Sequence, residues 1–424
     1  MTRPYQQNAK TPAGPVSATP AGATWGGFRG LLKQYSGAAA GYSLRKIGNG
    51  PVVRLRRASD NEEKDFYAGD LTGSSEGSEL VTNGDFATDS DWNKGTGWSI
   101  TGGQAVCDGT QVSVSQLQQN GIISSESGVY YKITFTVVAC SDINNAGTVI
   151  DSAAIQKFTS VWGVGTLGTY SAIFRTTGSN TSFAFYAGAG VTLTLDDVSC
   201  VEYTPSTAEL WALNDRDKAA RQDTHSAYAT TWYNQADGGA TNNATQSTAA
   251  SQPLLIRAGV TNTENGKAAL SFDGVDDGLI FSGPISASAS DYFGTVVGAV
   301  SAGGYVVYGS NASTILGFNA NSGYWSGTPH GTDTWKSSTQ QLSTWSLVAT
   351  DQAATFINGV DDQSGLTYSQ QEWGTVANEC SIMFRFSGTS HSTGNLQEVI
   401  VYPSDQTSNR IGIETNINDH YGIY

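Results

Sequence analysis

Charge is scarce in this chain of 424 residues: 14% are charged, and 22 Lys and Arg stand against 37 Asp and Glu, for a net charge of −15 at pH 7. So few cations exclude the broad basic field that a nucleic-acid-binding surface needs. Surface composition for long helices is missing as well, and with 50 Gly and heavy Ser, Thr and Asn usage an all-α bundle is excluded. No stretch approaches ~18 uninterrupted apolar residues, so no membrane-inserted helix is expected. The opening MTRPYQQNAKTPAGPVSATPAG has no apolar signal core, from which a chain made in a cytosol is expected. The four cysteines, Cys107, Cys140, Cys200 and Cys380, form no C-x-x-C and have no His at metal-ligand spacing. They read as reduced, mostly buried thiols. The histidines His225, His330, His391 and His420 lie far apart and pair with no evident nucleophile.

Strands and turns fill the chain instead. Its length exceeds what one ordinary core uses, which argues for two or three domains. Val53 and Leu55 alternate with Arg54 and Arg56; Ile133, Phe135 and Val137 with Thr134 and Thr136; Val191, Leu193 and Leu195 with Thr192 and Thr194. A period of two turns one face of each strand inward, as in a sandwich. NGKAALSFDGVDDGLIF, STWSLVATDQAATFINGV and ECSIMFRF read as further strands, and the Asn-Gly pairs at 265–266 and 358–359 signal tight hairpins. Ser206 with Glu209 three residues on forms a capping box that opens a short helix. Ile413, Ile417 and Tyr421 share one face of a closing helix that Gly422 stops. The expected class is all-β: two β-sandwich (jelly-roll) domains, one inserted into the other, with an extended N-terminal arm and a short C-terminal helix.

The boundaries follow composition. Residues 1–24 carry Pro4, Pro12, Pro15 and Pro20 among small polar residues and cannot bury a core, so they read as an extended anchoring arm. Residues 25–74 begin one domain, GDLTGSSEGSE links to an inserted sandwich over 75–203, and 204–424 complete the first domain. Residues 1–70 hold 10 Lys and Arg against 5 acids, whereas 71–424 hold 12 against 32. The first segment therefore suits an acidic partner, and the acidic remainder predicts no affinity for anionic polymers.

RGLLKQYSGAAAGYSLRKI, RLRRASDNEEKDF, TTWYNQADGGATNNATQ, NGKAALSFDGVDD, FINGV and NLQEVIVYPSDQTSNRIGIETNINDHYGI resemble, in order, a concanavalin A-like (laminin-G-like) jelly roll. Among enzymes these segments resemble the catalytic domain of arabinofuranosidase B. ELVTNGDF, DWNKGTGWSI, YYKITFTV and LTLDDVSCVEY are similar to carbohydrate-binding modules of the galactose-binding-like type. Together they resemble bacteriophage virion adhesins. The resemblance implies a virion protein that binds glycan, fixed to other virion proteins by its arm, trimeric as such fibres are, and not inserted in a membrane. It also implies a structural calcium held by Asp85, Asp196 and Asp197, although Ala87 stands where a further acidic ligand is expected.

Flat aromatics cover the apolar face of a sugar while polar tips take its hydroxyls. Trp92 and Trp162, flanked by polar or Gly residues, are candidates on that ground. The loop NSGYWSGTPHGTDTWKSS adds Tyr324, Trp325, Asp333 and Trp335. Trp98, Trp232, Tyr233 and Trp345 read as core. Asp273, Asp276 and Asp277 read as a hairpin turn, with a cation site as the minor alternative.

Glycoside hydrolysis needs two carboxylates roughly 5 to 9.5 Å apart. The acid-x-acid pairs, Asp60/Glu62, Glu63/Asp65, Asp89/Asp91 and Asp215/Asp217, fall in polar turns or a helical stretch. The chain is therefore expected not to be an enzyme, with convergence of distant carboxylates such as Glu372 and Glu398 left open. The expected function is non-catalytic glycan binding on a virion. The alternatives are a glycan hydrolase on the same folds and a purely structural virion component.

Overall fold

The computed structural model describes residues 30–150, 155–158, 167–178, 181–214, 225–236, 241–282, 293–302, 306–309, 324–327, 336–341, 346–351, 355–361, 379–384 and 391–424. The arm expected over 1–24 lies outside them. The fold is all-β, and the paired strands among the described residues run antiparallel. Among the described residues three α-helices, Leu31–Gln34, Thr207–Leu213 and Arg410–Tyr421, accompany them.

One 16-stranded sheet collects strands from Ala40–Ser43 through Thr393–Tyr402. Val296, Val348 and Val399 from one part of it share a core with Trp232, Ala244, Leu279 and Phe281 from another. The sheet therefore doubles over into two facing layers. The strand Phe293–Ala302 shows why: Val296 and Val300 point into that core, while Phe293 and Val297 point to the opposite face. There they meet Ile413, Ile417 and Tyr421 of the helix Arg410–Tyr421, whose Gly422 ends it in the left-handed region at φ 64°. Both Asn-Gly pairs turn hairpins: Asn265 and Gly266 have φ 48° and 70°, Asn358 and Gly359 φ 51° and 78°, the two positive values a tight type I′ turn requires.

Residues 75–204 build a second body from a five-stranded and a six-stranded sheet. Ile133, Phe135, Leu193 and Leu195 from the larger sheet meet Leu117, Phe183 and Phe185 from the smaller in one core. The alternating polar positions lie outside, where Thr134 pairs with Ser171 at 2.6 Å and Thr136 with Thr169 at 2.8 Å. The chain enters and leaves this body side by side, since Ser75–Glu79 pairs with the end of Thr192–Thr204. The two bodies also touch directly. Leu213 and Ala258 of the outer body complete the inner core, and Ile173 N–H donates to the Ala258 carbonyl at 3.4 Å. A Cβ on Gly259 would sit 2.5 Å from Leu213 Cδ2 at φ 81°, so the approach needs glycine there.

Candidate functional site

A cleft of about 1030 Å³ opens where the two bodies join. Its walls come from Leu44–Lys46, the linker Ala68–Glu76, Lys132 and Tyr203 of the inner body, the Val260–Ala268 region, and the end of the helix Arg410–Tyr421. That volume lies at the upper end of the range for small-ligand sites.

Strand pairing builds the cationic wall. Ser43 and Glu398 are direct cross-strand partners, so Arg45, two residues on, reaches the same carboxylate. Its Nε donates to Glu398 Oε2 at 2.7 Å, its Nη2 to Oε1 at 3.0 Å, and its Nη1 to Asn416 Oδ1 at 2.9 Å. Ser43 Oγ also donates to Glu398 at 2.7 Å. Burial works against the Arg45 charge, but Glu398 overrides it and the guanidinium holds its proton more tightly than usual. The same guanidinium stands 5.5 Å above the Tyr421 ring. Burial first, then the Glu398 charge, raises the Tyr421 hydroxyl far above the usual tyrosine range. Burial, Arg45 and Lys267 together lower the neighbouring His420 to about 4, so it is neutral at physiological pH.

Two lysines rise from fixed backbone. Lys46 lies between Arg45 and Ile47, whose N–H donates to Gln235 Oε1 at 3.0 Å. Lys267 leaves the Asn265–Gly266 hairpin opposite Glu264, and Asn265 Nδ2 fastens that hairpin to the helix end through the Tyr421 carbonyl at 2.8 Å. At the opposite wall Glu209, 1% exposed, accepts Tyr203 OH at 3.0 Å, Ser206 N–H at 2.8 Å and Thr261 N–H at 2.8 Å. Its reciprocal bond from Glu209 N–H to Ser206 Oγ at 3.2 Å closes the capping box. Thr261, 8% exposed, leaves its hydroxyl without a hydrogen-bond partner among the described residues.

The residues singled out from sequence lie elsewhere or outside the described region. Trp92 is a correction: it is 6% exposed, packs on Phe86 at 5.4 Å between ring centroids and donates its indole N–H to the Asn83 carbonyl at 3.0 Å. No ring face is left for a sugar. Trp162, Asp333 and Trp335 lie outside the described residues, as do Trp345 and Glu372. Tyr324 and Trp325 begin the strand Tyr324–Gly327, paired with Lys336–Gln341. Glu398, raised as a convergent carboxylate, is fully buried and committed to Arg45.

Two of the three acids implied for calcium, Asp85 and Asp196, accept hydrogen bonds from the protein. Asp85 accepts Ala87 N–H at 3.3 Å; Asp196 accepts Asp197 N–H at 2.9 Å and Gln104 Nε2 at 3.3 Å. Among the described residues the carboxylates that gather are instead Asp273, Asp276 and Asp277, with oxygens within 4.8 Å of one another. Asp273 Oδ1 accepts Val275 N–H at 2.8 Å and Asp276 N–H at 3.3 Å, the local bonding of a turn.

Arg45, Lys46, Lys267 and Thr261 gave no signal in the sequence, because each enters the cleft through a distant pairing. Glu209 was visible only as a helix cap.

No family model matches the chain, and no curated protein does. Among solved structures it is similar to the Trypanosoma rangeli sialidase in complex with 2,3-difluorosialic acid, at 12% identity over 59% of this chain and 43% of that one, TM-score 0.31. A second structure of Trypanosoma rangeli sialidase matches at 10% identity over 63% of this chain and 46% of that one, TM-score 0.29. The chain thus spans less than half the length of these sialidases. The cycloalternan-forming enzyme from Listeria monocytogenes matches at 11% identity over 87% of this chain and 29% of that one, TM-score 0.17. The expectation that the chain is not an enzyme is withdrawn on this comparison, whose first matches are enzymes. Likenesses of this depth assign the chain no activity or substrate.

Proposed function

We propose that this chain recognises carbohydrate in the cleft between its two bodies. The observation that supports the reading is the cleft itself: about 1030 Å³, shared by both bodies and rimmed by hydrogen-bonding side chains on fixed backbone. A glycan presents many hydroxyls, and a wall of preset donors and acceptors lowers the entropy lost in ordering them. The resemblance of the outer body to concanavalin A-like jelly rolls, and of the inner one to galactose-binding-like modules, points to the same ligand class. Display on a phage particle through residues 1–24 is the setting we propose for it.

The test is a glycan array with the purified chain beside Thr72→Trp and Thr263→Trp, exposed cleft residues whose enlargement fills the space. Binding by the wild type that both variants lose supports the reading. Undiminished binding by the variants, or none by the folded wild type, overturns it. Release of reducing ends in the same samples separates turnover from recognition. Removal of residues 1–24 should leave array binding intact and abolish incorporation into particles.

A further inference from the structure

Charge in the cleft runs against charge in the chain. Four of the 22 Lys and Arg residues line it, Arg45, Lys46, Lys132 and Lys267, but only three of the 37 acids, Glu76, Glu209 and Asp419. Pairing then sorts them. Lys132 meets Glu76 at 2.7 Å. Arg45 is matched by Glu398 behind the wall. The Glu209 charge is taken up by a hydroxyl and two backbone N–H groups. What remains is Lys46 and Lys267, both exposed and in no ion pair among the described residues, with Asp419 the one carboxylate left over. His420 adds no charge of its own: burial first, then Arg45, lowers its proton affinity, with Glu398 opposing and Lys267 adding a smaller part.

We infer that the cleft selects acidic glycans, with Lys46 and Lys267 holding the ring carboxylate of a uronate-type sugar. The inference rests on the glycan-recognition reading above and names the ligand class for the same site. Ammonium-to-carboxylate hydrogen bonds are among the stronger polar contacts, and they offset the rotamer entropy lost in ordering an exposed lysine. The net charge of −15 does not forbid this. Screening limits its reach to about 8 Å at physiological ionic strength, so cations inside the cleft decide what enters. The expectation that an acidic chain rejects anionic polymers is thereby replaced, for this one site, by its opposite.

The experiment is calorimetric titration of the full chain with a galacturonic acid hexasaccharide and with its carboxyl-reduced, neutral counterpart. The acidic oligomer should bind at least about tenfold more tightly, the worth of one charge-assisted contact. Lys46→Gln with Lys267→Gln should erase that difference; both residues are exposed, and an unchanged melting temperature confirms that the variant folds. Equal affinity for the two oligomers, with binding still blocked by Thr263→Trp, overturns the ligand class and leaves glycan recognition standing. Failure to bind either oligomer or any other glycan on the array overturns both.

Discussion

The Glu209 carboxylate accepts the backbone N–H of Thr261 at 2.8 Å, across 52 residues of chain. The same carboxylate takes the hydroxyl of Tyr203, at the end of the last inner strand, and caps its own helix through Ser206. One buried acid therefore holds together the exit from the inner body, the helix that follows and a strand of the outer body. These three meet along one wall of the cleft.

Glu209→Ala should lower stability by on the order of 3 kcal/mol, because it leaves a buried hydroxyl and two N–H groups without their acceptor. Glu209→Gln keeps one acceptor oxygen and should cost clearly less. Urea unfolding of the three proteins checks the order. If alanine and glutamine variants match the wild type, the carboxylate is not the tie described.

The Arg45–Glu398 pair invites a double-mutant comparison. Replacing one partner strands a buried charge, which costs about 3–5 kcal/mol, whereas replacing both by apolar side chains of similar volume is often close to neutral. Glu398→Leu alone should therefore be the least stable protein, and Arg45→Met with Glu398→Leu should recover much of the loss. Thermal and chemical unfolding of the single and double variants give the answer. Additive losses would contradict the pairing.

The sandwich pattern was legible because it is local: Ile133 and Phe135 turn inward by their spacing alone, whatever the rest of the chain does. The Asp273 turn was legible for the same reason, since its carboxylate bonds its own next residues. Arg45 and Glu398 lie 353 residues apart and are joined only by the register of Ala40–Ser43 on Thr393–Tyr402. Nothing in either neighbourhood announces the other. Trp92 misled through its polar neighbours. Positive φ at Phe86 and Asp91, 51° and 68°, bends that loop so that its tryptophan returns to the core. A positive φ at a residue such as Phe86 leaves no mark in a sequence.

Trp92→Ala should consequently behave as a core truncation, destabilising the inner body by about 3–5 kcal/mol. Glycan binding measured well below the melting temperature should be unchanged. A variant with wild-type stability and lost binding would return Trp92 to the ligand surface.

Asp277 makes stability depend on pH in an unusual direction. It is 7% exposed, and burial, then the charge of Asp273 with a smaller addition from Asp276, pushes its carboxyl up to about 7. An unfolded chain releases this proton near pH 4, the folded one near 7, so between those values the folded state binds the extra proton. Stability from this group is full below about pH 4 and is lost as the pH rises through 7. Between pH 5 and pH 8 that amounts to about 3 kcal/mol, shared with the neighbouring acids because the cluster titrates together. Asp277→Asn keeps an oxygen for the Asp273 N–H, bonded at 3.0 Å, and has no proton to lose. Its melting temperature should match the wild type at pH 5 and exceed it at pH 8. Melting curves that stay parallel across that range would show that Asp277 is charged in the folded protein throughout.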